Sequence, residues 1–237
     1  MLREKKCDVA VHYIMACCGG FIGAYAILSR MEVFGSAQTA NLIELVCDIL
    51  GRNPKEIMIR ICALLIYVGA MILSVVLEKT TSWNLKYPAI VFDLTAVTAV
   101  GFVPGTTNPI IALYPVFFAT AFQWCVFKGA NGYVSSTIFS TNNLKQTVIS
   151  ATDYLMSAHD EEGREKKAEK ALFFGGTILS FHAGVAVSYL LWLHYGIHAS
   201  WFCVVPLVFG GVLVAAGDGI FSGSKERKAE AGEIGIR

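Results

Sequence analysis

The fold class these residues predict is an all-α membrane protein: six transmembrane helices plus two short half-helices, arranged as two pseudo-symmetric inverted repeats. Three observations predict it. First, 16% of the 237 residues are charged, 55% are hydrophobic and mean hydropathy is +0.56, whereas a soluble domain carries about a quarter charged residues. Second, apolar runs of about 20 residues, enough to cross a hydrocarbon core of roughly 30 Å, recur along the chain. Third, RMEVFGSAQTANLIELVCDIL (30–50) returns in outline as STIFSTNNLKQTVISATDYL (136–155). Thr39-Ala40-Asn41-Leu42 and Thr141-Asn142-Asn143-Leu144 align at one offset, each after a long apolar run and each opening a short helical pattern. Residues 1–237 form a single membrane domain, with repeat one at 8–105, repeat two at 108–220 and a polar cytoplasmic tail at 221–237.

The first span is Val9–Ser29, preceded by the basic leader Met1–Asp8. It is too long for a cleaved signal and lacks an A-x-A site, so it reads as a retained signal anchor. Gly19, Gly20 and Gly23 let another backbone come close, either as a helix-packing seam or as room for a re-entrant segment. Arg30 and Glu32 end the span. A helical pattern resumes at Ser36, which can cap it, and Gly51 with Pro54 stops it. At about 14 residues, roughly 21 Å, and with Glu44 and Asp48 aboard, this is a half-helix, since carboxylates facing lipid are costly.

Ile57–Leu77 is the second span. The polar loop Glu78–Tyr87 follows, with Trp83 and Tyr87 suited to a membrane interface. Pro88–Val103 is a short third span holding Asp93, and Pro104–Pro109 is a turn. The fourth span, Ile110–Phe127, carries Gln123 and a kink at Pro115. Lys128–Ser140 is loop-like, and the second half-helix runs from about Asn142 to Met156. Ala158–Lys170 is a solvated charged loop or a helix extension. Ala171–Leu193, with His182, is the fifth span; an interfacial turn at 194–198 leads to the last, Trp201–Ala216.

Net charge is +1, which excludes nucleic acid as a partner on bulk electrostatics. The seven cysteines lack paired spacing, so neither a disulfide framework nor a metal site is expected. No nucleophile elbow, phosphate-cradling loop or His-Glu-x-x-His helix is present, so no enzyme and no cofactor are expected. A membrane enzyme using Ser36 or Ser140 with His182 has no motif behind it.

Lys and Arg gather before the first span, at 158–170 and in the tail, which places both termini in the cytoplasm. With neither half-helix crossing, each repeat has three spans, and an odd number forces the halves into opposite orientation, as in many transporters. Counting each half-helix as a crossing gives the alternative, eight spans in parallel repeats.

A helix starting inside a bilayer presents N–H groups without intrahelical partners and the positive end of its dipole. Those groups need a cap, water, an anion or a polar solute. The residues expected to bind substrate are Ser36, Gln38, Thr39, Asn41, Gln123, Thr141, Asn142 and Asn143, gathered around one central cavity. The simpler reading is that Ser36 and Ser140 cap two helices lying at the interface. Asp93 and His182 are candidates for proton or ion coupling, or else polar links between helices.

Four blocks carry a family resemblance: Gly19-Gly20-Phe21-Ile22-Gly23-Ala24-Tyr25, Ala37-Gln38-Thr39-Ala40-Asn41-Leu42, Ala121-Phe122-Gln123 and Thr141-Asn142-Asn143-Leu144. In order and spacing they resemble the YoaK-like family of bacterial inner-membrane proteins, a domain of unknown function (DUF1275), over nearly the whole chain. The resemblance implies a small multi-pass protein of the inner (plasma) membrane with a suspected transport role. Members commonly have Asp at the place of Gly23, and Gly at those of Ala40 and Asn142. The missing acid argues against a proton- or cation-coupled mechanism through that position.

The expected function is a permease for a small polar or anionic solute, working by alternating access. A channel of the same fold is the first rival; a membrane interaction or sensory protein, using the 158–170 loop, is the second. The expected partners are the lipid bilayer and the solute, with a homo-oligomer allowed.

Overall fold

The computed structural model describes residues 2–30, 38–157 and 161–219. In chain order they form α1 (Leu2–Ser29), α2 (Gln38–Gly51), α3 (Pro54–Thr80), α4 (Lys86–Phe102), α5 (Pro109–Ala112) and α6 (Tyr114–Val126). Two strands follow, β1 (Gly129–Ala130) and β2 (Tyr133–Val134), then α7 (Thr141–Met156), α8 (Glu161–Tyr195), a 3-10 segment (Gly196–Cys203) and α9 (Val204–Gly217). The protein is an all-α membrane protein. Cys7–Ser29, Pro54–Thr80 and Gly163–Gly217 are each long and apolar enough to cross a bilayer.

Helix α1 is the innermost element. Val11, Met15, Ala16, Phe21, Ile22 and Tyr25 are all buried, on more than one face, as expected of a helix enclosed by others. It packs against α8 and α9; α6 packs against α3 and α4, and α4 against α9. The α1–α8 contact is backbone on backbone. A Cβ on Gly20 would lie 1.9 Å from the Phe181 carbonyl oxygen, and one on Gly184 would lie 1.9 Å from that of Cys17. The seam reading of the glycines therefore holds at Gly20. Outward-facing positions such as Leu65, Ile72, Leu179, Leu190 and Val205 are exposed and apolar, the composition of a lipid-facing surface.

Helix α2 is short and packs on α3. Its two carboxylates are not left to lipid: Arg60 of α3 pairs with Glu44 and, at 2.7 Å, with Asp48. In the α2–α3 turn, Arg52 takes φ 57°.

Two details differ from the sequence reading, and a third decides between alternatives it left open. The kink expected at Pro115 is a break at Leu113. Asn108 Oδ1 accepts from the Ile110 and Ile111 amides to start α5, and Pro115 sits in the first turn of α6, where its missing N–H is harmless. Residues 163–170 are helix extension rather than loop: α8 has 35 residues, about 52 Å, so its charged first turns reach beyond a hydrocarbon layer of roughly 30 Å. The 128–140 loop opens with a hairpin, Gly129 pairing with Val134 and Ala130 with Tyr133. Its turn residues Asn131 and Gly132 have φ 54° and 80°, the conformation of a type I′ turn. Ala158–Asp160 and the 221–237 tail lie outside the described residues.

Candidate functional site

The start of α7 is anchored to the protein by Asn143 and by the segment before it. Ser135, Thr137 and Ile138 are buried, and the space they occupy exists because Gly19 has no side chain: a Cβ there would lie 2.1 Å from the Thr137 carbonyl oxygen. Gly19 therefore serves the second role foreseen for the α1 glycines, making room for an inward-running segment. Gln123 Nε2 donates to the Met15 carbonyl (3.2 Å) and to Thr137 Oγ1 (2.9 Å). Asn143 Nδ2 donates to the carbonyls of Ser136 (2.8 Å) and Phe139 (3.1 Å).

Those two bonds fix Asn143 Oδ1 as the atom 2.9 Å from Ser135 Oγ. The Ser135 hydroxyl must donate to it, since a carbonyl oxygen only accepts. His12 Nε2, 3.0 Å from the same hydroxyl, is then the protonated nitrogen of the ring and donates to Ser135. A histidine that donates to a serine cannot take its proton, so this buried trio ties α1, the loop and α7 together and does not activate a nucleophile.

With the loop in place, Thr39 at the start of α2 and Ser140, Thr141 and Asn142 at the start of α7 line one cavity of about 1040 Å³. Lys145 joins them one turn along, on the face of Thr141, as the i, i+4 relation requires. The rest of the wall is apolar. Helix α1 contributes Ala24, Ile27 and Leu28. Helix α8 contributes Phe181, Val185 and Tyr189, again at i, i+4 spacing. Trp124 of α6 and Phe139 complete it, packed edge-to-face at 5.0 Å. Ser140 stands at the N-cap of α7 but its side chain makes no capping hydrogen bond. The first amides of α7 are therefore not satisfied by the hydroxyl that could have capped them, and the dipole's positive end faces the cavity side.

Of the residues expected to bind substrate, Thr39, Thr141 and Asn142 meet in this lining. Gln123 and Asn143 do not: both are buried and committed to the loop. Asn41 is buried on α2 and is not part of the lining, and Gln38, the first residue of α2, has a buried Nε2 with no hydrogen-bond partner. Ser36 lies outside the described residues. Asp93 is fully buried in α4, away from the lining, and neither carboxyl oxygen has a hydrogen-bond partner. His182 faces outward and its Nδ1–H donates to the Ile178 carbonyl of its own helix at 2.9 Å, so it is not poised toward Ser140.

Lys145 and the aromatic wall were missed. Lys145 was findable, four residues after Thr141. The wall was not, because cavity-facing and lipid-facing positions of a membrane helix draw on the same apolar residues. Comparison with curated proteins and with solved structures gives no match. Residues 11–213, running from α1 into α9 and including both short-helix starts, match the family described as Protein of unknown function (DUF1275), and the chain belongs to that family.

Proposed function

We propose that the protein is a permease of the bacterial inner membrane, moving a small polar or anionic solute by alternating access around the cavity between the starts of α2 and α7. One observation carries the proposal: Thr39 and Ser140–Asn142, about 100 residues apart in the chain, line the same cavity. Helix starts supply unpaired donors and positive potential, which suit an electron-rich solute.

The packing supports two related halves. Exchanging them turns α1 into α5–α6, α2 into α7, α3 into α8 and α4 into α9. The α1–α8 contact then becomes α6–α3, α4–α6 becomes α9–α1, and α2–α3 becomes α7–α8; all of these pairs pack. In the six-span reading each half holds three crossings and one half-helix, the halves are inverted, and both termini are cytoplasmic. Rocking of one half against the other around a fixed central site is the motion such repeats permit.

Flux into proteoliposomes tests the proposal, with solutes chosen by a thermal-shift screen of metabolites and anions. A permease gives saturable uptake that Thr39→Ala and Thr141→Ala both weaken. Unsaturated electrical current identifies a channel, and no flux at all refutes transport.

A further inference from the structure

The chemistry of the cavity wall narrows what it can hold, on the reading that this cavity is the solute site. Its polar groups are Thr39, Ser140, Thr141, Asn142 and Lys145, four of the five on or next to the first turn of α7. Among the described residues Lys145 is the one charged side chain in the lining, and it has no ion-pair or hydrogen-bond partner. Other cations of the membrane part are engaged: Arg30 on carbonyls of the α4 end, Arg60 on Glu44 and Asp48, Lys86 on Asp8. The rest of the wall is apolar: Phe139, next to Ser140 in the chain, with Trp124 packed on it, then Phe181, Val185 and Tyr189 of α8 and the apolar flank of α1.

A sugar or a fully hydrated small solute fits this badly. Much of its surface would face carbon, and each hydroxyl lifted from water without a partner is penalised. A lone inorganic anion would fill a small part of 1040 Å³, a volume at the upper end of those that hold drug-sized ligands. We infer that the cavity takes an amphipathic organic anion: an acidic head at Lys145 and the α7 start, joined to an aromatic or medium-chain aliphatic body against Trp124, Phe139 and Phe181. Two sources offer this chemistry, a free carboxylic acid and an anionic lipid of the surrounding bilayer.

The test uses the full chain in phosphatidylcholine nanodiscs and equilibrium binding of radiolabelled 4-phenylbutyrate. Binding is expected to be saturable. Acetate in excess should not compete, and 4-phenylbutyramide should bind at least about tenfold more weakly, because it keeps the body and loses the charge. Across butyrate, hexanoate and octanoate, affinity should rise about fourfold per methylene, the fold-change equivalent to about 0.8 kcal/mol per buried CH₂. Lys145→Gln should weaken 4-phenylbutyrate at least about tenfold, and Lys145→Arg should restore it to within about threefold. Lys145 is exposed to the cavity, so these variants should fold.

Adding phosphatidylglycerol to the discs separates the two sources. Competitive loss of 4-phenylbutyrate binding identifies lipid, and unchanged binding identifies a free acid; either upholds the inference. Equal binding of the amide, effective competition by acetate, or no saturable binding of 4-phenylbutyrate overturns it. In those cases the site reading stands if Thr39→Ala and Thr141→Ala still alter solute flux, and falls with the inference if they do not.

Discussion

Arg30 offers the sharpest test of how the helices are held. It is 1% exposed, at the end of α1, and its guanidinium donates to three carbonyls at the end of α4 and the turn beyond: Val103 (2.8 Å), Pro104 (3.0 Å) and Val100 (3.2 Å). The last carbonyls of a helix have no intrahelical partner and carry the negative end of its dipole, so the arginine satisfies them and its charge has a counterpart. Arg30→Leu keeps apolar bulk and removes every one of those donors. Hydrogen bonds to a charged group are worth about 1.5–3 kcal/mol each, while losing the arginine also removes its own desolvation penalty. A net loss of about 3 kcal/mol follows. For a chain of this size 1 kcal/mol moves Tm by roughly 2–4 °C, so Tm should fall by roughly 6–12 °C. Fluorescence-detected size exclusion after heating in detergent reads it. Arg30→Lys, a single point charge without the fork, should recover about half the loss. An Arg30→Leu protein melting within about 2 °C of the parent refutes the reasoning.

The α1–α8 seam gives a second prediction. A Cβ on Gly20 falls short of ordinary contact with the Phe181 backbone by about 1.5 Å, so Gly20→Ala should destabilise by at least about 1–3 kcal/mol, as should Gly184→Ala, in the same melting assay. Arg60→Gln removes the charged partner of Glu44 and Asp48; hydrogen exchange over 38–51 should quicken about tenfold, equivalent to about 1.4 kcal/mol, with 141–156 unchanged. Neighbouring asparagines should behave oppositely. Asn143→Ala strips the donors from Ser136 and Phe139 and should cost about 2–3 kcal/mol of stability, whereas Asn142→Ala, exposed in the cavity lining, should leave melting unchanged and alter solute binding.

Much of the helical fold was legible because lipid demands runs of about 20 apolar residues, and these are interrupted at Gly51, the last residue of α2, and at Pro54 and Pro109, which open α3 and α5. Glu44 and Asp48 of α2 find their partner in Arg60 of the next helix, a pairing that sequence spacing alone does not reveal. The Asn131-Gly132 pair is a hairpin signal, but the strands it joins are only two residues long, too short for an alternating pattern to show in the sequence. The repeated Thr-x-Asn marks two helix starts that line one cavity, but only Thr39, Thr141 and Asn142 of the expected residues are in that lining. Successive side chains on a helix turn about 100°, so Thr141 and Asn142 can face the cavity while Asn143, one position on, faces the loop. The polar motif is thus part lining and part scaffold, a division that depends on the direction of approach of the 135–140 segment.

Cross-linking measures directly whether the two short-helix starts share one cavity. In a chain whose native cysteines are replaced, Thr39→Cys and Thr141→Cys are treated in membranes with a bis-maleimide matched to the width of a 1040 Å³ cavity, about 13 Å if spherical, and digested for mass spectrometry. The account predicts a 39–141 link within a single chain. Ready alkylation of both cysteines with no link between them contradicts it.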